Sequence, residues 1–327
     1  MTRVSASIDG SVAVITFENP PVNGLSLAVR TELGDALRQA FANPAVKAVV
    51  LTGGGGLFSG GADIREFGTA AATTEPTLRT LVELVENGAK PVIAAISGTC
   101  LGGGVELALA AHHRIALADA RLGLPEVKLG LIPGAGGTQR LPRLAGARVA
   151  LDLIVRGEPV TAGSLASSGL LDRVVEAEPV AAAIELAGSP EVTGRPPRRT
   201  GELAAGADLL PLCQAERRRL LDQRNRIPAL FRAVDAIEAA ARPLPEGLAF
   251  ERQIFLELMQ SPESRALRHA FFAERAAGKV PGLDPHTPTR PIERAAVIGA
   301  GTMGTGIAVA LLDAGLPVWL VEADQAA

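Results

Sequence analysis

The chain has 327 residues, 47% hydrophobic and 20% charged, a composition that suits a globular protein long enough for two domains. A formal net charge of -3 gives no reason to expect nucleic acid or an anionic membrane as partner. Two cysteines, Cys100 and Cys213, cannot build a disulfide framework, and the four histidines lack metal-ligand spacing, so no metal is expected.

In chain order, VSASI and VAVITF alternate about Asp9-Gly10 and predict a hairpin. Asn19 to Gly24 breaks the second strand, and Ser26 can cap a helix carrying Val29, Leu33, Leu37 and Phe41. VKAVVLT reads as a buried strand ending in Gly53 to Gly56, and a helix is predicted around Leu78, Leu81, Val82 and Val85. PVIAAIS is the next strand, running into GTCLGGG and a helix, with HRIALA as a further strand. Strand, glycine loop, helix, strand is the rhythm of an α/β domain with crossover connections.

GSPEVTGRPPRR, Gly188 to Arg199, reads as a boundary. Between Arg195 and Arg226 eight arginines meet four acids with no interleaved aromatics, which favours a solvated linker face over a polyanion site. The segments beyond are helical: Leu230, Val234 and Ile237 share a face, as do Phe250, Ile254 and Leu258, and Ser261-Pro262 opens a helix with Leu267 and Phe271 four apart. Lys279 to Pro291 is a proline-rich connector, and RAAVIGAGTMGTGIAVALLDAGLPVWLVEAD then returns to strand, glycine turn, helix, strand.

Gly102, Gly103 and Gly104 precede the helix VELALA, where the first N–H groups lack intrahelical partners and face negative charge. FSGGADI, Phe58 to Ile64, offers a second set of amides, and two donors converging on one oxygen make an oxyanion hole. A phosphate-binding loop needs Lys and Ser/Thr after its glycines, whereas this one has Val105 and Glu106. A carboxylate there suits an oxygen that becomes negative as a proton moves, so Glu106 reads as a general acid/base, with Glu126 in LGLPEVKLGLIPGAGGTQRL as its partner. Taken singly, each motif is more often a capping or packing device. Asp63 suits capping of a short helix, and Cys100 suits burial.

FSGGADI, LGGGVELALA and LPEVKLGLIPGAGGTQRL together resemble the crotonase, or enoyl-CoA hydratase/isomerase, superfamily over roughly Val4 to Val175. The resemblance implies that the N–H groups of Ala62 and Gly103 hold an acyl-CoA thioester oxygen, with Gly61, Asp63 and Ile64 beside the substrate. It also implies that Glu106 and Glu126 are paired catalytic acids that hydrate a trans-2-enoyl-CoA without a cofactor. The same scaffold carries Δ3,Δ2-enoyl-CoA isomerases and thioester hydrolases, and a non-catalytic acyl-CoA-binding module is a further reading.

Gly299, Gly301 and Gly304 stand in GxGxxG spacing after a strand and before a helix, with Glu322 ending the next strand and Met303 beside the turn. This context predicts dinucleotide binding, and an acid at the strand end favours NAD over NADP. With IFLELMQSPESRALRHAFFAER before it, the order resembles the bifunctional hydratase/3-hydroxyacyl-CoA dehydrogenases of fatty acid β-oxidation. The expected fold is α/β: a crotonase-like ββα-repeat core over 1–190, a helical linker over 191–290, and over 291–327 the first β-α-β unit of a truncated Rossmann fold. NAD oxidation is expected of a full-length relative only, since a dinucleotide fold is built from two βαβαβ halves and one β-α-β unit is less than either. The resemblance further implies a thiolase subunit or self-association as partner, and a bacterial-type cytoplasmic or, in a eukaryote, peroxisomal location. No apolar run reaches spanning length.

Overall fold

The structure, a computed structural model, describes residues 3–224, 227–277 and 290–323, together with 282, 284, 287 and 288. Arg226 of the basic run and much of the connector 279–291 lie outside the described residues. The chain forms two units, Met1–Phe272 and Ala273–Ala327.

The first unit opens with β1 (Arg3–Asp9) and β2 (Val12–Glu18), paired antiparallel with Asp9 opposite Val12. The two-residue turn is therefore Gly10-Ser11, one position later than the Asp9-Gly10 signal, because the positive φ of 57° falls on Gly10. Helix α1 (Leu27–Ala42) starts where Ser26 accepts from the Val29 N–H, a cap worth about 1 kcal/mol, and it buries Val29, Leu33 and Leu37. Then follow β3 (Ala48–Gly53), α2 (Leu78–Glu86), β4 (Val92–Ile96), β5 (Thr99–Leu101), α3 (Gly103–Ala110), β6 (His113–Leu117) and β7 (Arg121–Gly123). Helix α4 (Gly137–Val155), broken at Gly146, leads to β8 (Val160–Thr161), β9 (Arg173–Val175), α5 (Pro179–Gly188) and α6 (Pro190–Thr193).

A six-stranded sheet has the order β1-β2-β3-β4-β6-β9, parallel beyond the first hairpin, and β5-β7-β8 form a small second sheet. Strands β3 and β4 are buried almost throughout, as inner parallel strands covered on both faces must be. Their residues alternate: Val49, Leu51, Ala94 and Ile96 join the main core, while Ala48, Val50, Ile93 and Ala95 face Ala183, Leu186 and Ala187 of α5.

Helices α7 (Leu209–Asp222), α8 (Pro228–Glu238) and α9 (Leu244–Met259) place Cys213, Leu220, Val234, Ile237, Ile254 and Leu258 in that same main core. The start of α10 (Pro262–Ala277) is fastened by Ser264 Oγ, which donates to the Leu129 carbonyl at 2.9 Å. Arginines of the basic run are paired: Arg198 with Asp172, Arg199 with Glu202, Arg217 with Asp235 and Glu238, and Arg219 with Glu216. The two neighbouring histidines diverge. His112 is buried, accepts from the Val92 N–H at Nδ1 and is pushed down to about 4 by burial, while His113 turns to Asp172.

The second unit carries β10 (Ala295–Ile298), α11 (Thr302–Asp313) and β11 (Val318–Val321), with the strands parallel and Ala295 opposite Val318.

Candidate active site

Two loops meet at the C-terminal ends of the adjacent strands β3 and β4. The Ser59 N–H donates to the Thr99 carbonyl at 2.9 Å and the Leu101 N–H returns to the Ser59 carbonyl at 2.8 Å. Ser59 Oγ donates to the Asn23 carbonyl and accepts from the Gly61 N–H, while the Gly61 carbonyl accepts from the Leu25 N–H. The FSGGADI loop is thus stitched to the lead-in of α3 on one side and to the start of α1 on the other.

This stitching sets the Ala62 and Gly103 amides against each other. A Cβ on Gly103 would stand 3.1 Å from the Ala62 nitrogen, and one on Gly61 would stand 3.1 Å from the Gly103 nitrogen. The approach needs the bare backbone, and Gly61 and Gly102 have φ of 99° and 50°. Gly103 is the first residue of α3, so its N–H has no intrahelical acceptor. Asp63 caps the 3-10 turn Ile64–Glu66, accepting from the Arg65 N–H at 3.0 Å, and Ile64 is half-buried behind it. Buried Arg30 anchors the following segment, donating to the carbonyls of Leu25, Ala71 and Pro76 and pairing with Glu66 at 2.9 Å.

The two glutamates are held differently. Glu106, in the first turn of α3, accepts from the Ala135 N–H at 2.7 Å and the Gly137 N–H at 2.9 Å, both on one oxygen, Oε1. Burial raises its carboxyl above the usual range, while these amides and the Arg140 and Arg79 guanidiniums pull it back. Glu126 sits in a 3-10 segment, Pro125–Leu129, which explains why the sequence there lacks helical periodicity. Its Oε1 lies 3.1 Å from where a Cβ on Gly102 would be, and its enclosed Oε2 has no hydrogen-bond partner. Burial first, then the charges of Glu106 and Glu251, push the Glu126 carboxyl well above the usual value.

Two buried carboxylates, Glu251 and Glu86, escaped the sequence reading. Glu251 of α9 accepts from the Gly136 N–H at 2.7 Å, the Thr138 N–H at 3.0 Å and Thr138 Oγ1 at 2.6 Å. Burial and the Glu106 charge raise it to about 8. The signal was available: Gly247, Glu251, Ile254 and Leu258 form one buried stripe, so an acid occupies an apolar position of the helix. Nearby, Glu86 and Arg140 form a buried ion pair at 2.6 Å beside a cavity of about 400 Å³ also lined by Arg79, Arg199 and Leu248. Neither Glu106 nor Glu126 lines that cavity.

Residues 7–189 match the family described as Enoyl-CoA hydratase/isomerase. The chain belongs to the enoyl-CoA hydratase/isomerase family. Residues 294–327 match the 3-hydroxyacyl-CoA dehydrogenase, NAD binding domain. The chain is 43% identical to a peroxisomal bifunctional enzyme of Danio rerio, over 96% of this chain and 44% of that protein. It is 40% identical to the Homo sapiens peroxisomal bifunctional enzyme, over 97% and 45%. It thus spans less than half the length of these curated relatives. Among solved structures, a carnitinyl-CoA hydratase from Mycobacterium avium is similar at 34% identity and a TM-score of 0.59, over 83% of this chain and 95% of that one. An enoyl-CoA hydratase from Bacillus anthracis is 32% identical, with a TM-score of 0.54 over 83% and 96%. The crotonase-like α/β core expected from the motifs agrees with these neighbours.

In the second unit the glycine turn carries Gly299, Gly301, Met303 and Gly304. Glu322 reaches back over it, accepting from the Ala300 N–H at 2.6 Å. A Cβ on Gly304 would lie 1.7 Å from the Gly299 carbonyl oxygen, whereas one on Gly301 would meet nothing within 4 Å. Gly304 therefore serves helix–strand packing, and Gly301 leaves open space before the first amides of α11.

Proposed function

We propose that the first unit hydrates a trans-2-enoyl-CoA to the 3-hydroxyacyl-CoA, with Glu106 and Glu126 as acid and base and the Ala62 and Gly103 amides as oxyanion hole. The unequal treatment of the two glutamates carries this reading. Glu106 receives two N–H bonds and the field of two arginines, so it is the more readily ionised. Glu126 has an unpartnered enclosed oxygen and two acidic neighbours, so it retains a proton at higher pH. Two carboxyl groups pushed apart in this way divide into base and acid.

In the step that follows, Glu106 takes a proton from water as the water oxygen bonds to C3. The C2–C3 π pair moves toward the thioester, whose oxygen gains charge against the two amides. Glu126 then gives its proton to C2 and the enolate collapses. Water is added across the alkene, and the two carboxyl groups have exchanged protonation states, which solvent exchange resets. Gly61, Asp63 and Ile64 act by holding the amide loop. No cofactor enters.

The second unit fits a dinucleotide. Gly299, Gly301, Met303 and Gly304 would hold its pyrophosphate, and Glu322 its ribose. NAD, when bound, supplies the hydride acceptor for 3-hydroxyacyl-CoA oxidation, which we assign to the whole protein. The three-part division at 190 and 290 is likewise a proposal. The main core extends through α9, so the linker helices complete the hydratase unit as a packed body. Among the described residues no helix is long and apolar enough to cross a membrane. The relatives' names support a peroxisomal site in a eukaryotic host, with a bacterial-type cytoplasm as the other location. Association with a thiolase subunit, or with a second copy, is read by sedimentation with and without thiolase.

The deciding experiment follows the conjugated enoyl-thioester absorbance. Incubation with crotonyl-CoA should remove it. An isomerase would instead create it from a 3-enoyl-CoA, a hydrolase would release free CoA, and a binding module would change nothing.

A further inference from the structure

Residues 135–138, entering α4, present four successive N–H groups to two carboxylates in strict alternation. Ala135 and Gly137 donate to Glu106, while Gly136 and Thr138 donate to Glu251. These belong to the unsatisfied donors at a helix N-terminus, which need acceptors when buried. Glu106 and Glu251 thus grip one short backbone segment from opposite sides. Glu251 is 1% exposed and comes from α9, outside the residues that match the family. Its grip is itself braced. Gln139 Nε2 donates to Thr138 Oγ1 at 2.9 Å and to the Ala236 carbonyl at 2.7 Å, and Gly247 leaves room for the Gln139 oxygen.

We propose that Glu251 is a positioning residue of the hydratase site, fixing the 135–138 segment whose other two amides aim the Glu106 carboxylate. The proposal rests on the hydratase reading above. Without Glu251 two buried amides and the Thr138 hydroxyl lose their acceptors, and the segment is free to turn away from Glu106. Misplacement of a reacting group by about 1 Å costs on the order of 10²-fold in rate. Once ionised, on the alkaline side of its value of about 8, Glu251 also acts through charge, because a negative group beside Glu126 holds the Glu126 proton to higher pH. The other charged groups that bear on these acids are Arg140 from α4, Arg79 from α2 and Arg252 beside Glu251 on α9.

The test measures crotonyl-CoA hydration by the full chain bearing Glu251→Gln, with steady-state constants taken across pH. The expected result is a kcat lowered about 10²-fold with KM within about twofold. The alkaline limb of kcat/KM, set by loss of the Glu126 proton, should move to lower pH because a negative neighbour has gone. A merely structural role would leave that limb in place. Thr138→Val, which removes the hydroxyl that donates to Glu251 at 2.6 Å and accepts from Gln139 Nε2 at 2.9 Å but leaves the amide bonds, decides the matter if the first variant does not fold. It should lower kcat about tenfold at unchanged KM, and wild-type kcat would overturn the proposal. A folded Glu251→Gln protein with wild-type kcat and pH profile overturns it equally. An inactive wild type would instead overturn the hydratase reading, so the two failures are distinct.

Discussion

The chain contains two glycine-rich turns that open helices, and their surroundings could hardly differ more. All eight residues of α3 behind Gly102 are buried, whereas in α11 behind Gly301 only Ala308 is. Met303 is 80% exposed and Ile298 85%, while Glu106 is 3% exposed. Locally both turns offer the same thing, unsatisfied amides at a helix start. Burial decides what each can do with them. Enclosed amides act in low dielectric and can stabilise a charge that develops during reaction, and an enclosed carboxyl without donors holds its proton to higher pH than an exposed one. An open turn suits a ligand that brings its own charge, and its glycines provide clearance at Gly301 and packing at Gly304.

The largest effects should come from the acids beside the buried turn. Glu106→Gln and Glu126→Gln should each lower kcat by about 10²–10⁴-fold, with acyl-CoA affinity little changed, because the lost proton transfer belongs to the transition state. Glu322→Gln, beside the open turn, should leave hydration untouched. Turnover within tenfold of wild type in both buried variants would break the comparison.

Gly103→Ala should follow. The new methyl would stand 2.6 Å from Leu78 Cδ2 and 3.1 Å from the Ala62 nitrogen, entering the gap between the two amides. Losing one oxyanion donor costs about 10²–10³-fold in kcat. Steady-state kinetics with crotonyl-CoA read it, and an unchanged kcat would remove the amides from the mechanism.

At the open turn two alanine substitutions should separate packing from ligand clearance. Gly304→Ala puts a methyl 1.7 Å from the Gly299 carbonyl oxygen, so hydrogen exchange across β10 should speed up markedly. Gly301→Ala meets nothing within 4 Å and should leave exchange as it was while obstructing a dinucleotide. Neither should alter hydration. Equal exchange in the two variants would show that the glycines are interchangeable.

Much of this was legible in the residues. The helical faces of Val29, Leu33 and Leu37, and of Ile254 and Leu258, are buried as their spacing predicts, and the buried strands β3 and β4 follow from their apolar runs. The hairpin turn moved by one residue because Asp-Gly and Gly-Ser signals overlap there, and the pairing register chose between them. The short strands β8 and β9 have no periodicity of their own and exist by pairing with β7 and β6. At the candidate site, Glu106, Glu126 and both glycine loops were singled out because each carries a local pattern. Glu251 could not be connected to them, since its bonds to Gly136 and Thr138 span more than a hundred residues. No local pattern encodes a contact of that range.

The smallest expected effect concerns stability, and it runs opposite to activity. The Glu126 carboxyl is raised above its ordinary value by burial and by Glu106 and Glu251, so the folded chain holds its proton to higher pH than the unfolded chain does. Its contribution is therefore full below the unfolded value, near 4.5, and is lost as pH rises through the folded one. Glu251, raised to about 8, adds a loss of the same sign. Glu126→Gln removes one of these losses. The amide it introduces costs the same at every pH, so only the pH-dependent part reports on the carboxyl. Calorimetry at pH 5 and pH 8 should show the Tm difference, variant minus wild type, growing toward the alkaline side by about 2–4 °C for each kcal/mol recovered. An inactive variant that gains heat stability with rising pH would mark Glu126 as a group kept for chemistry at the fold's expense. A difference independent of pH would mean that Glu126 is no harder to ionise in the folded chain than in water, and would take the acid of the buried turn out of the comparison.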